Sequence, residues 1–321
     1  MKMSEKTVDS MNPMSIQSSA DVLAPDAGTR LPASSPAVAP RGRGKRSRAQ
    51  KSSGMARGLK SPLAIAGLTV VAVCILAGLL APFLTPYAPT DQQFDAFEPM
   101  SSAHPLGTDE LGRDLFSRLV FGIRVNILVA FTAVPAGALL GAFLGILASS
   151  KSWYAGALQR FFDMMLAFTA LVMGMTVAAL MGPGLGAVLV TVALVNVPLF
   201  GRITRNAVMA QLGRDYAEAA QVVGVSHFRL MTRHILPNSV DALIVRAALS
   251  LSLAVFIEGA MSFVGIGIRL PDPSMGSMLK SSVGFLEQAP QYAIAPMIVV
   301  TLLVLGFNMI SDGLNKGLLK R

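Results

Sequence analysis

Apolar and polar positions along this chain are arranged in long blocks. Apolar runs of about 20 residues recur, with short polar segments between them. A bilayer core of about 30 Å needs about 20 helical residues to cross it. The runs therefore predict about six spanning helices, near 62–84, 125–149, 160–181, 185–204, 242–265 and 291–311. The first run is full length and lies far from the chain start, unlike a secretory signal peptide. "MGPGLG" (181–186) reads as a turn from its Gly and Pro content. A mixed polar segment follows the first span, over 86–121, with Asp91, Asp95, Glu98, Asp109, Glu110 and Asp114. A polar stretch runs from Arg205 to Asn238, and a long loop covers 266–290.

Within the second run, "GALLGAFLG" sets Gly137, Gly141 and Gly145 four residues apart, on one helix face. Such a face lets two backbones approach closely, as one more helix–helix contact in a bundle.

The polar stretch has its own pattern. Asp215-Tyr-Ala-Glu218 fits a capping pattern, with Asp215 at the cap. A helix of about two turns, Tyr216 to Val223, would then end at Gly224 in a left-handed conformation. Ser226 can cap a second helix, with Phe228, Met231 and Ile235 as its apolar stripe and Arg229 and Arg233 as its basic one. Pro237 ends that helix, because it has no N–H to donate. From physics alone this element is a DNA-binding helix-turn-helix, an interfacial helix resting on headgroups, or a docking element for a partner. Closely flanking lipid-embedded spans disfavour the first. For the third, Ala217, Ala219 and Ala220 leave the first helix slim enough to enter a groove.

Composition supports a membrane protein. Of 321 residues, 53% are hydrophobic and 14% charged, against about 25% charged in an ordinary soluble domain. The net charge of +9 is concentrated near the start. Between 41 and 60 lie Arg41, Arg43, Lys45, Arg46, Arg48, Lys51, Arg57 and Lys60, with no acid. Ahead of an apolar span, such a block marks the cytoplasmic side rather than a nucleic-acid site. Residues 1–60 read as a disordered basic cytoplasmic tail. An even number of spans puts both termini on that side. Lys151, Arg202, Arg205, Arg214, Lys316, Lys320 and Arg321 fall there too.

Several chemistries find no support in the sequence. One cysteine, Cys74, excludes an intrachain disulfide and a cysteine-based metal cluster. His227 and His234 share a helix face but lack a further ligand, so no metal site is expected. No GxxxxGK[ST] loop is present, and "GRGKRS" (42–47) lacks the first glycine at the required spacing. No nucleophile–His–acid set emerges, so the chain is not an evident enzyme and no cofactor is expected in it.

Glu218-Ala219-Ala220, then Gly224, then Ile235-Leu236-Pro237 resembles the EAA loop of ABC importer permeases. "HPLGTDELGRDLFSRLVFGIR" (104–124), "FVGIGIRLPDPSMGSML" (263–279) and "SDGLN" (311–315) resemble the dipeptide/oligopeptide/nickel group, the DppC/OppC-like branch. Met275 stands where that group usually has Trp, and Thr169 where it often has Pro. The resemblance implies an all-α integral membrane fold of the type I importer (MetI-like) class. The resemblance covers roughly residues 60–315 and leaves the tail at 1–60 outside it; the expected regions beyond the tail are a first helix plus extracytoplasmic segment at 61–121, a permease core at 122–312, and a C-terminal cytoplasmic tail at 313–321. It also implies a cytoplasmic coupling loop at 205–240, whose Glu218, Ala219, Ala220, Gly224, Leu236 and Pro237 seat in an ATPase subunit.

The expected partners are a second homologous permease chain, two ATP-binding subunits docking at 214–237, an extracytoplasmic substrate-binding protein and the lipid bilayer. The expected place is a bacterial plasma (inner) membrane, and the expected cargo is a di- or oligopeptide. Nickel or another small solute is the alternative cargo. A secondary transporter or channel is the rival class, and it would need mid-membrane coupling carboxylates. Glu258 is the one acid in such a position, and its reading stays open between a pathway group and a structural hydrogen bond. Asn196 and Asn308 read as helix-to-helix hydrogen bonds.

Overall fold

The computed structural model describes residues 58–150 and 152–319. The tail and the "GRGKRS" stretch fall outside these residues up to position 57. Eleven α-helices stand out among the described residues: α1 (Pro62–Leu79), α2 (Ala81–Leu84), α3 (Leu115–Leu147), α4 (Trp153–Ala167), α5 (Ala170–Met181), α6 (Leu185–Leu212), α7 (Asp215–Val222), α8 (His227–Leu230), α9 (Leu236–Val264), α10 (Met275–Ser282) and α11 (Pro290–Leu319). A π-helical turn, Met231–Ile235, joins α8 to α9. No strand occurs among the described residues.

Five helical segments are long and apolar enough to cross a membrane: α1, α3, α6, the run Met231–Val264 and α11. The expected span over 160–181 is not one straight helix. It is α4 and α5, bent by 93° at Phe168 and Thr169. Phe168 is extended, and the Thr169 side chain accepts the Val172 N–H at 3.4 Å, starting a new helix. Counting this bent pair as one crossing gives six. The first span also breaks, at Leu80, ahead of Pro82 in α2.

The spans run further than their apolar cores. α3 begins at Leu115, inside the segment read as lying outside the membrane, and α6 continues to Leu212. The loop expected over 266–290 contains α10, started by a capping box between Ser274 and Ser277.

The α3 start explains its length. The Asp114 carboxylate accepts the Ser117 N–H and hydroxyl, both at 2.7 Å. His104 Nδ1 lies 3.0 Å from the other Asp114 oxygen. Arg113 Nε donates to Asp109 at 2.6 Å. Arg118, in the first turn of α3, donates to the Pro89 carbonyl at 3.1 Å and the Pro271 carbonyl at 3.5 Å. All six of these polar side chains are buried. Paired and hydrogen-bonded, the charges are tolerated in a place where single ones are costly. They fasten the 85–114 segment and the α9–α10 connection over the end of α3.

The longest packing seam joins α3 to α6. A methyl group on Gly137, Gly141 or Gly145 would meet the carbonyl of Ala193, Val197 or Gly201 respectively. The glycine face seen in the sequence is thus a seam inside the chain. Gly201 in turn leaves room for the Phe162 ring of α4. α9 packs against α3, α6 and α11, and α1 lies along α11. Leu139, Phe143, Trp153 and Leu180 remain exposed. Such an apolar outer surface suits lipid, not water.

Candidate partner-docking element

α7 begins one residue earlier than its capping pattern suggests. The Glu218 N–H bonds the Arg214 carbonyl at 3.3 Å, so Arg214 occupies the cap and Asp215 is already helical. Asp215 and Glu218 still fall in the first turn, where the helix dipole favours carboxylates. After Val222 the chain turns through Gly224, whose φ is +79°, as the glycine position requires. The Ser226 carbonyl accepts the Leu230 N–H at 2.9 Å and opens α8.

Pro237 does not end the second helix. It sits in the first turn of α9, and the helix continues through it into the membrane. The preceding π-turn explains this. The Leu236 N–H reaches back to the Met231 carbonyl, five residues away. This wider turn accommodates a proline that would break a regular helix.

The two faces of α7 differ. Ala217 is fully buried and Ala220 half-buried, three residues apart, against Val208, Leu230, Met231 and Ile235. These alanines make the close approach to the chain's own bundle. Leu236 is half-buried against the same cluster. Glu218 and Ala219 face outward and are exposed. Val222 and Val223 are also outward, 87% and 82% exposed. The sequence reading missed these two valines as surface features. Their signal is the spacing: once Ala217 and Ala220 face inward, Glu218 and Val222, four apart, share the opposite side. Arg229, Arg233, His234 and Pro237 are exposed as well.

One side-chain contact ties this element to α6, and two more brace α6 itself. The Tyr216 hydroxyl and Gln211 Oε1 lie 2.7 Å apart, tying α7 to the end of α6. Arg205 Nε donates to the Ala148 carbonyl at 3.1 Å, at the carboxyl end of α3. Arg202 of α6 pairs with Asp163 of α4. Packed through Ala217, Leu230 and Ile235, the two helices carry an apolar pair, Val222 and Val223, on the exposed side.

The mid-span candidates lie elsewhere. Glu258 is fully buried in α9. Its Oε1 accepts the Ser262 hydroxyl at 2.8 Å, and Ser262 Oγ accepts the Ile268 N–H at 3.1 Å. Asn126 of α3 and Ser274 also face this carboxyl. Through Ser262, Glu258 ties the end of α9 to the turn that follows it. Asn196 does not bond another helix. Its amide nitrogen donates to the Val192 carbonyl at 2.8 Å, within α6, beside Gly137. Asn308 does bridge helices, its Oδ1 accepting from the Ser252 hydroxyl at 3.3 Å. The structure does not bring Glu258 or Asn196 to the α7 element.

Residues 137–321 match the family described as "Binding-protein-dependent transport system inner membrane component". Residues 55–105 match the "N-terminal TM domain of oligopeptide transport permease C". The chain is 38% identical over 262 residues to the dipeptide transport system permease protein DppC of Alkalihalophilus pseudofirmus, covering 81% of this chain and 86% of that one. It is 37% identical to the di/tripeptide transport system permease protein DppC of Pseudomonas aeruginosa, covering 79% and 87%. The glutathione transport system permease protein GsiD of Pectobacterium atrosepticum is 34% identical, covering 82% and 88%. An inward-facing structure of the MetNI methionine ABC transporter superposes with a TM-score of 0.52 at 16% identity, over 61% of this chain and 93% of that one, a likeness of fold. With its apolar helices and these matches, the chain belongs to the binding-protein-dependent transport inner membrane components, as a multi-pass permease of their DppC/OppC-like branch.

Proposed function

We propose that this chain forms half of the translocation path of an ATP-driven importer of di- or oligopeptides. A second homologous permease supplies the other half, an extracytoplasmic binding protein delivers cargo, and two separate subunits bind and hydrolyse ATP. The chain itself carries no cofactor and performs no chemistry on the cargo. Relatives named for dipeptide, di/tripeptide and glutathione transport favour peptides over nickel.

The observation that carries the coupling role is the exposed tip of α7. Val222 and Val223 present apolar surface within a polar stretch of the chain. Beside them, Glu218 and Ala219 complete a narrow helical face, with Gly224 setting the turn. A groove in an ATPase subunit would cover this face, in the helix-in-groove manner. Closure of the ATPases on ATP would then bias one of two packings of the spans.

The test is affinity purification of the tagged chain from cells that make the whole transporter, alongside ATP-dependent uptake of labelled dialanine. Burying one valine contributes about 1.5 kcal/mol or more. Val222→Asp/Val223→Asp should therefore reduce ATPase co-purification and uptake more than tenfold, with normal amounts of the chain in the membrane. Full co-purification and uptake in that variant would refute the docking role.

A further inference from the structure

α9 carries the docking element at one end. At its other end lies a half-open cavity of about 490 Å³, a size suited to a small ligand. The carboxyl end of α9 and the following turn contribute Ser262, Ile268 and Arg269, and α10 contributes Ser277, Lys280 and Ser281. On α10 these three sit at i, i+3 and i+4, hence on one face. The opposite side of α10, through Met275, Met278 and Ser282, is buried in the bundle. Lys280 and two serines from one helix, and Arg269 from the facing turn, thus line the cavity, with both cations exposed at its mouth.

Neither cation is neutralised. Among the described residues no carboxylate comes within ion-pair distance of Arg269 or Lys280. Lys280 Nζ makes a long 3.4 Å bond to the Val264 carbonyl, which leaves two of its three donors. Asp272, the nearest acid in sequence, does not line the cavity, and its N–H bonds the Arg269 carbonyl. Ser277 already donates to the Ser274 carbonyl and Ser262 to Glu258, so the donors left at the cavity are those of the two cations, which suit one anionic group with several acceptor oxygens. Ile268 and Leu270 supply apolar wall beside them.

We propose that this cavity receives the terminal carboxylate of the peptide cargo. The inference rests on the peptide-import reading above. That carboxylate is the one anionic group every linear peptide with a free acid end carries, whatever its side chains. A site built on it would accept many sequences and reject peptides whose end is neutral.

The experiment uses the full complex, with binding protein and ATPases, reconstituted in vesicles. Dialanine and its C-terminal amide are each supplied at concentrations that saturate the binding protein, so that selection at delivery is removed. Wild type should import the free acid in preference to the amide. In Arg269→Gln/Lys280→Gln that preference should fall about tenfold, the scale of a lost charge-assisted hydrogen bond. Arg269→Lys/Lys280→Arg, which keeps both charges, should retain it. A Gln variant with unchanged preference overturns the proposal. So does one that slows both peptides equally, the result expected if the pair instead holds an acidic face of the binding protein. Import of neither peptide by wild type would overturn the peptide reading itself, and this inference with it.

Discussion

Gly224 holds a φ of +79°, and no atom lies within 4 Å of where its Cβ would be. A substitution there meets backbone strain without a clash, about 1–2 kcal/mol for a residue with a side chain. Gly224→Val should therefore insert normally yet loosen the fixed angle between α7 and α8. A change of that size is about fivefold or more in an equilibrium. Uptake should fall by at least that factor while ATP hydrolysis ceases to follow cargo, both read in the same vesicles. Normal values of both would show that the turn conformation is dispensable. Glu258 offers the opposite kind of case. Gln at 258 retains an acceptor for Ser262, so uptake and thermal stability should stay within about 1 kcal/mol of wild type. Glu258→Ala leaves a cavity and removes the acceptor of the Ser262 hydroxyl, and should cost about 2–4 kcal/mol in thermal unfolding. A Gln variant that is stable but inactive would make Glu258 a pathway carboxylate.

Among elements, the α3–α6 seam has the least tolerance. A leucine at Gly141 would be driven into the Val197 carbonyl and the Phe200 side chain. Overpacking of this kind costs about 1–3 kcal/mol. Gly141→Leu should lower the unfolding temperature of the detergent-solubilised complex. Gly156→Leu in α4, where nothing lies within 4 Å of the added carbon, should not. Equal losses would mean that the seam is not tightly packed. The seam and the spans were legible because lipid demands apolar residues all round a helix and small residues where helices meet. The ends were not legible. Residues 115–124 carry Arg118 and Arg124, which read as a loop. They are helical because Asp114 caps them and the Pro89 carbonyl and Asp109 carboxylate receive the buried Arg118. The α4–α5 bend escaped hydropathy because both arms are apolar, and Thr169 alone hinted at it. In α7 the alanines were visible, but which way they faced depended on Val208 and Leu230, distant in sequence.

At the scale of the molecule, the docking projection and the cavity proposed for cargo are joined by one element. The sequence placed a helix end at Pro237, which would have left a hinge between surface and membrane. The π-turn instead carries the helix through, so Met231 to Val264 is one 34-residue rod. At about 1.5 Å per residue that rod is about 50 Å long. With the docking and cargo sites proposed above at its two ends, it would act as a lever. A tilt of about 5° at the surface displaces the far tip by about 4 Å, roughly the width of an extended peptide backbone. No amplifying joint is needed between the two ends, because length alone supplies the gain. The same geometry implies that any residue stiffening or softening the rod along its middle would alter the stroke without touching either ATP or cargo.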